Sequence, residues 1–498
     1  MQYTVKLLPG NRVLQADEGA LLSDVLRESG MNFPCGGKGI CGNCLVELLD
    51  GDIYMDERHS ELLLKKQRLS GQWRLACFSR VTSDLVLRIP WHEDVILADQ
   101  NSVQLYRESG NSIAVDVGST TVVAQLIDRR SGKVLSSVAE SNCQSRKGAD
   151  VISRIAYAIE REEHAEELMI LIRRQIGKMI DTLLHDGGRE DLCQITLVGN
   201  SVMHHLFAGL DVKPFAAYPF QSETQGLQSF SAKSLGWNVP PTCQILFLPN
   251  LSHFVGSDLL AGIYHLQIHK QNKWQALLDL GTNGEIVIGN REKIFCTSTA
   301  AGPAFEGVNI IQGMRAVKGA VYKVNAENGH VSVIGDIPAD GICGSGLVDA
   351  VHYFLRQGYI DCSGALCEEG QAELRLTDKV AIYDRDIREF QLAKAAVATG
   401  FQLLLNKAGL QLSDLDHIYI AGGLGTYLDV EKAMEIGLLK ATSKSQVKQE
   451  GNTALKGCRE LTYSQALHEI PEILALVTHH ALESDSCFQD VYCDNLFF

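Results

Sequence analysis

Four cysteines near the start of the chain carry the clearest chemistry. Cys35, Cys41 and Cys44 stand in PCGGKGICGNC as C-x5-C-x2-C, and Cys77 follows in the segment LAC. Gly36, Gly37, Gly39 and Gly42 let the backbone between them curl tightly and turn its N–H groups inward. Four thiolates are what a 2Fe-2S centre requires, and the plant-type spacing, C-x4-C-x2-C with a distant fourth cysteine, is one residue shorter than this one. A four-thiolate zinc site is the alternative. Zinc ribbons usually pair two short knuckles, whereas this sequence has one, so the spacing favours the cluster. The remaining cysteines, Cys143, Cys193, Cys243, Cys296, Cys343, Cys362, Cys367, Cys458, Cys487 and Cys493, are scattered and are expected to be buried small apolar residues.

A second constellation repeats. IAVDV, the turn Gly118-Ser119-Thr120-Thr121 and VVAQLI return 163 positions later as LLDL, Gly281-Thr282-Asn283-Gly284 and EIVIG, so that Asp116 aligns with Asp279. Matching hairpins suggest a duplicated fold whose two acidic strand ends face each other across a cleft. A nucleotide fits such a cleft. Glycine- and hydroxyl-rich turns offer N–H and O–H donors to phosphate, and carboxylates at strand ends can hold a hydrated magnesium ion and position an attacking water. No G-x4-G-K-[ST] segment occurs, which excludes a P-loop. In HIYIAGGLGTYLDVEKAMEIGLL, Gly422, Gly423 and Gly425 follow a strand from His417 to Ala421, but Leu428 takes the third glycine position of a dinucleotide fingerprint and no strand-helix-strand unit is expected there. His204-His205 and His479-His480 lack the i, i+4 spacing of paired ligands and are expected to be helix residues.

The elements that must position these groups follow from period and punctuation. Tyr3-Val5-Leu7, a Pro9-Gly10 turn, Val13-Leu14, a helix carrying Leu21, Leu22, Val25 and Leu26, then LVELL and WRLACFSRVTSDLVLRIP surround the cysteine loop. This order resembles the β-grasp ferredoxin fold, and the x5 spacing resembles the adrenodoxin-like ferredoxins. Trp91 to Gly110 lacks clean periodicity and reads as a linker. Val151 to Leu184 is a long amphipathic stretch that surface-helix packing explains.

The chain has 498 residues, with 45 Lys+Arg against 60 Asp+Glu for a net charge of −15, which argues against a nucleic-acid partner. Its 45% hydrophobic and 21% charged residues are those of a folded protein. The N-terminus lacks a signal-peptide pattern and no apolar run approaches a membrane span, so a soluble cytoplasmic protein is expected.

DVGSTT at 116–121, DLGTNGE at 279–285 and AGGLG at 421–425 resemble the phosphate-1, phosphate-2 and adenosine motifs of the ASKHA superfamily, which includes actin, Hsp70 and the sugar kinases. With VGNSVMHHLFAGLD, STAAGPAFEGVNI and GICGSGLVDAV behind a ferredoxin-like segment, the whole resembles the reductive activators of corrinoid proteins. The resemblance implies an α+β chain: a 2Fe-2S domain at 1–90, a linker at 91–110, and a duplicated α/β ASKHA ATPase domain at 111–498 with halves at about 111–270 and 271–498. The middle domain found in longer family members is expected to be missing.

The activity implied is ATP-dependent transfer of one electron from a 2Fe-2S cluster on Cys35, Cys41, Cys44 and Cys77 to a client corrinoid protein, returning Co(II) to Co(I) for methyl transfer. By the same resemblance, Asp116 and Asp279 are the Mg2+- and water-positioning carboxylates. Gly118, Ser119, Thr120, Thr121, Gly281, Thr282 and Asn283 surround the phosphates, and Gly422 and Gly423 border the adenosine. Gly344, Ser345 and Gly346 either touch nucleotide or form a helix start capped by Ser345. Glu285 and Asp258 are further candidates. The competing readings are an ATP-driven electron donor to another low-potential metalloenzyme, a small-molecule kinase with a fused redox domain, and a non-catalytic scaffold.

Overall fold

Alternating burial builds the N-terminal sheet. In β1 (Gln2–Leu8), Val5 and Leu7 point inward while Lys6 is exposed, the period-2 pattern of a strand with one wet face. The computed structural model describes residues 2–8, 12–27, 31, 44–53, 59–60, 63, 72–89, 107–148, 150–185, 189–218, 220, 222, 224–281, 283–367 and 372–498. The Pro9-Gly10 turn, Cys35 and Cys41 with their glycines, Thr282, and residues 91–106 of the expected linker lie outside the described residues. The chain divides into two units, residues 1–93 with 143–168, and residues 94–142 with 169–498.

In the first unit β1 pairs antiparallel with β2 (Arg12–Asp17), and α1 (Leu22–Arg27) follows. β3 (Leu45–Asp50), β4 (Trp73–Leu75) and β5 (Leu85–Arg88) complete a mixed sheet of order β2-β1-β5-β3-β4, with β5 parallel to β1. Leu22 and Leu26 of α1 are fully buried in one core with Val5, Val46, Leu75 and Leu87. This is the β-grasp arrangement. The same unit holds α2 (Val151–Glu160), started by an Asp150–Ser153 capping box. The expected long amphipathic stretch is two helices, because Arg161 is extended (φ −152, ψ 149) between α2 and α3 (Glu162–Leu183).

The second unit contains the duplication. β6 (Asn111–Val117), β7 (Thr121–Asp128) and β8 (Lys133–Ser141) form an antiparallel meander. β9 (Leu192–Val198) runs parallel to β6, and after α4 (Ser201–Ala208) the short β10 (Gln228–Phe230) and β11 (Gln244–Phe247) extend the sheet to β10-β11-β9-β6-β7-β8. α5 (Ser257–His265) leads to a second meander of β12 (Trp274–Leu280), β13 (Gly284–Gly289) and β14 (Ile294–Thr299). A small sheet of β15 (Ala320–Val324), β16 (Val331–Val333) and β17 (Gly341–Ile342), helix α6 (Gly344–Arg356), the β18 (Glu373–Arg375) and β19 (Ala381–Tyr383) pair, and α7 (Asp384–Ala408) intervene. β20 (Leu415–Ala421), α8 (Val430–Glu435), β21 (Val447–Gly451) and β22 (Val477–His479) then finish a sheet ordered β21-β20-β12-β13-β14-β22. Apart from the edge strands β10 and β22, the two orders are the same.

Between these sheets lie α5 and α9 (Thr453–Glu460), whose apolar residues share a core with Ala114 and Val123 of the first sheet and Leu277 and Val287 of the second. Gly457 lets the helices touch, since a Cβ there would stand 1.9 Å from the Ala261 carbonyl oxygen. Residues after β21 also return to the first sheet, where Ser112 Oγ donates to Thr462 Oγ1 (3.0 Å) and the Cys458 thiol to the Thr196 carbonyl (3.3 Å).

Three expectations need correction. A strand-helix-strand unit does open at HIYIAGG, because β21 runs parallel to β20 after α8. The polar, half-exposed VKQEG of β21 lacks the apolar run that announces a parallel strand. His479 ends β22 instead of lying on a helix, although His204 and His205 are buried in α4 as expected. Of the ten scattered cysteines, Cys243, Cys296, Cys343 and Cys458 are buried, but Cys193, Cys362, Cys367, Cys487 and Cys493 are exposed.

Candidate redox and nucleotide sites

Register brings together two of the four cysteines read as cluster ligands. β3 and β4 pair Leu45 with Leu75, and the Ala76 N–H donates to the Cys44 carbonyl at 2.8 Å. Cys44 and Cys77, each just outside its strand, therefore meet with sulfurs 3.1 Å apart and are not joined in a disulfide. Two thiols held this way from elements 33 residues apart fit a shared metal. Cys35 and Cys41 lie outside the described residues, so the donor set is seen in half.

The candidate nucleotide cleft is built from the two meanders. Asp116 and Asp279 occupy matching places near the ends of β6 and β12, each only partly exposed between buried neighbours. Asp258 joins them from the first turn of α5, which begins at Gly256. A Cβ on Gly256 would stand 2.2 Å from the Gly199 carbonyl, so only glycine lets the helix start this close to β9. Glu285 lies directly across the hairpin from Asp279.

These four carboxylates crowd one another. Burial pushes Asp116 up to about 6, against a hydrogen bond from Asn452 that favours the charged form. Burial and the charges of Asp258 and Asp116 push Asp279 up to about 7. Asp258 is likewise raised to about 7 by burial and Asp116, and Glu285 well above its ordinary range by burial, Asp258 and Asp279. A like-charge pair directly across a hairpin destabilises the sheet, a repulsion that a cation between the carboxylates would relieve. Among the described residues no three His, Cys, Asp or Glu side chains converge closely enough to grip a metal alone. Carboxylates at two strand ends are donors of the kind a hydrated magnesium ion uses, its other positions being filled by water and phosphate oxygens.

The turn 118–121 is held on several sides. A Cβ on Gly118 would meet the Thr121 carbonyl at 2.5 Å. Asn142 binds the turn twice, its N–H donating to the Thr120 carbonyl (2.9 Å) and its Nδ2 to the Gly118 carbonyl (2.8 Å). Asn200, the N-cap of α4, donates to Ser119 Oγ at 2.8 Å. Thr120 Oγ1 donates to Glu306 Oε2 at 3.0 Å. In the second hairpin the Gly281 N–H donates to the Asn283 carbonyl (3.1 Å). Gly422, at φ +83, abuts this hairpin, and a Cβ there would lie 2.6 Å from Asp279 Oδ1. Gly423 is exposed, with open space where a side chain would be.

Gly344, Ser345 and Gly346 form the buried first turn of α6, with Cys343 and not Ser345 at the N-cap. The glycines allow close packing, since Cβ atoms there would stand 2.0 Å from the Phe305 carbonyl and 2.1 Å from that of Val321. They meet the adenosine-type loop through Leu424. Sequence reasoning missed Asn200, Glu306 and Asn452 as polar contacts of the cleft. Only Asn200 and Asn452 carried a local signal, as helix N-caps. Glu306 had none, because its partner Thr120 is 186 residues away.

Known proteins match the chain in both of its parts. A model of the 2Fe-2S iron-sulfur cluster binding domain matches residues 5–82, one of the RACo middle region matches 111–271, and one of the C-terminal RACo domain, the ASKHA domain, matches 273–498. The middle region expected to be missing is therefore matched, on residues read from sequence as the first ATPase half. The corrinoid activation enzyme RamQ of Eubacterium limosum is 30% identical over 581 aligned residues, covering 97% of this chain and 97% of that protein. That alignment is longer than this chain, so the relative carries stretches absent here. A Co(II) methylated amine-specific corrinoid protein reductase of Methanosarcina barkeri is 27% identical, over 78% of this chain and 76% of its own length. The solved structure of a reductive activator for corrinoid, iron-sulfur protein superposes with a TM-score of 0.71 at 26% identity, covering 100% of this chain and 98% of that one. With a ferredoxin-type sheet, duplicated hairpins around a carboxylate-lined cleft, and one relative and one solved structure matched along almost their whole length, this chain belongs to the family of reductive activators of corrinoid proteins.

Proposed function

We propose that this protein uses ATP to deliver one electron to a client corrinoid protein, returning Co(II) to the Co(I) state that accepts methyl groups. The observation that carries the reading is the presence, in one chain, of a paired-thiol site at 3.1 Å and a cleft of four crowded carboxylates between duplicated hairpins. In this reading residues 1–90 form the redox domain, 91–110 the linker and 111–498 the ATPase domain, working in the cytoplasm.

Cys44 and Cys77, with Cys35 and Cys41, would hold the 2Fe-2S cluster, whose chemistry is storage of a single electron. Asp116 and Asp279 would hold hydrated Mg2+ and orient water, Asn452 fixing the Asp116 carboxylate at 2.8 Å. Gly118, Ser119, Thr120, Thr121, Gly281, Thr282 and Asn283 line the phosphate positions. Gly422 and Gly423 border the adenosine, and the Gly344-Ser345-Gly346 turn reaches the same loop through Gly344, which stands against Leu424. A state that binds the client's two oxidation states with ~10⁴-fold different affinity, worth about 5.5 kcal/mol, shifts a one-electron potential by roughly 240 mV at ~59 mV per tenfold. Nucleotide-driven closure of the cleft is the source of that preference.

The test is to mix the reduced protein with a Co(II) corrinoid carrier anaerobically and follow the Co(I) absorption band. Co(I) should appear only with Mg-ATP, and neither Cys77→Ala nor Asp279→Ala should support it. ATP turnover without Co(I) formation across several carriers would assign the electron to another metalloenzyme. Phosphorylation of a metabolite regardless of cluster oxidation state would make the protein a kinase.

A further inference from the structure

The hydroxyl of Thr120 points its proton at a carboxylate from the other half of the cleft. Glu306 ends the short helix Pro303–Glu306, and its Oε2 accepts from Thr120 Oγ1 at 3.0 Å. The arm that carries it doubles back at Gly307, where a Cβ would stand 2.5 Å from the Met314 carbonyl oxygen. It then makes a second contact with the first half, Arg315 Nη1 donating to Ser141 Oγ at 3.1 Å. Ser141 lies opposite Thr121 and immediately before Asn142, which clamps the same turn. Residues 303–315 thus reach across the cleft at two points, the phosphate-1 turn at Thr120 and the end of the neighbouring strand at Ser141.

A hydroxyl has one proton and two lone pairs. Given to a carboxylate oxygen, that proton is not offered to a phosphate oxygen, and the group meets a ligand through its oxygen lone pairs. Lone pairs suit a hydrated cation and repel a phosphate oxygen. The sequence reading took all hydroxyls of the turn as phosphate donors. We infer that Thr120 instead serves the magnesium side of the nucleotide, and that Glu306 is the positioning residue that turns its hydroxyl to do so. The cation site then depends on the second half of the domain through a residue that never touches the ion, as outer-shell partners of metal ligands do. This deepens the proposed ATPase reading and rests on it.

The experiment is calorimetric titration of the full chain, cluster loaded and oxidised, with ADP, first without divalent cation and then across a Mn2+ series, free Mn2+ being followed by electron paramagnetic resonance. Thr120→Val and Glu306→Ala should each raise the Mn2+ midpoint about tenfold, leave metal-free ADP affinity within about twofold, and in combination do no worse than either alone. Thr120→Ser, which keeps the hydroxyl, should restore the wild-type midpoint even if Thr120→Val fails to fold. Equal loss of metal-free ADP affinity would show that the hydroxyl serves phosphate and overturn the inference, as would unchanged midpoints. A wild-type chain that binds no nucleotide would overturn the ATPase reading itself, and the inference with it.

Discussion

At the residue scale the four-carboxylate cleft makes a pH prediction whose sign can be worked out. Asp116 titrates near about 6 and Asp258 and Asp279 near about 7 in the ligand-free fold, whereas an unfolded aspartate ionises near ~4. Between about pH 4 and 7 the folded chain keeps protons that the unfolded chain has lost, so stability falls as pH rises through that window and levels off above it. Thermal melts of the ligand-free protein should therefore show a lower midpoint at pH 8 than at pH 5.5. Asp279→Asn should flatten that slope, and an unchanged slope would refute the crowding. Binding of Mg-nucleotide near pH 6.5 should release protons, detectable as a dependence of binding heat on the buffer. The thiols give a cleaner readout. Cys44→Ala or Cys77→Ala should abolish the visible absorption of the cluster and the ~2 iron per chain while leaving ADP affinity intact.

Elements decide whether those residues meet. Gly422, at φ +83 with the Asp279 carboxylate where its Cβ would be, couples the turn after β20 to the phosphate-2 hairpin. Gly422→Ala should weaken ADP binding by more than tenfold and lower the melting temperature, whereas Gly423→Ala, with nothing within 4 Å, should do neither. Asn452 links an element to a residue, as N-cap of α9 and donor to Asp116. Asn452→Ala should cost about 1 kcal/mol in denaturant melts and also move the pH dependence that Asp116 contributes.

Much of this scale was legible in the sequence. The repeated hairpins, the strand from His417 to Ala421, and the β-grasp order announce themselves by period and by glycine placement, which are local properties. Glu306 and the parallel pairing of β21 were not legible, because one depends on a contact across 186 residues and the other on a polar strand that pairs by backbone alone. The packing role of the GSG turn of α6 was not legible for a related reason. Glycines that admit a ligand and glycines that admit a neighbouring carbonyl look the same in sequence, and here Phe305 and Val321 are the neighbours.

For the whole molecule, the duplication places two equivalent sheets around α5 and α9, with the Gly457–Ala261 contact between the helices. Gly457→Val would force backbone apart at that crossing, so it should slow ATP turnover and lower stability together, measured by phosphate release and by melting. No helix among the described residues is long and apolar enough to cross a membrane.

The same crossing sets the order in which the protein can be made. The first sheet takes its closing partners from residues 452–462, through Asn452 to Asp116, Thr462 to Ser112 and Cys458 to Thr196. A nascent chain that has emerged only as far as residue 271 has every strand of that sheet and none of those partners. Its apolar face must wait, exposed, for nearly two hundred further residues to leave the ribosome, a setting in which chains aggregate or recruit chaperones. Residues 111–271 and 273–498 therefore should not fold when produced separately, and soluble nucleotide-binding protein should return when both are made in the same cell.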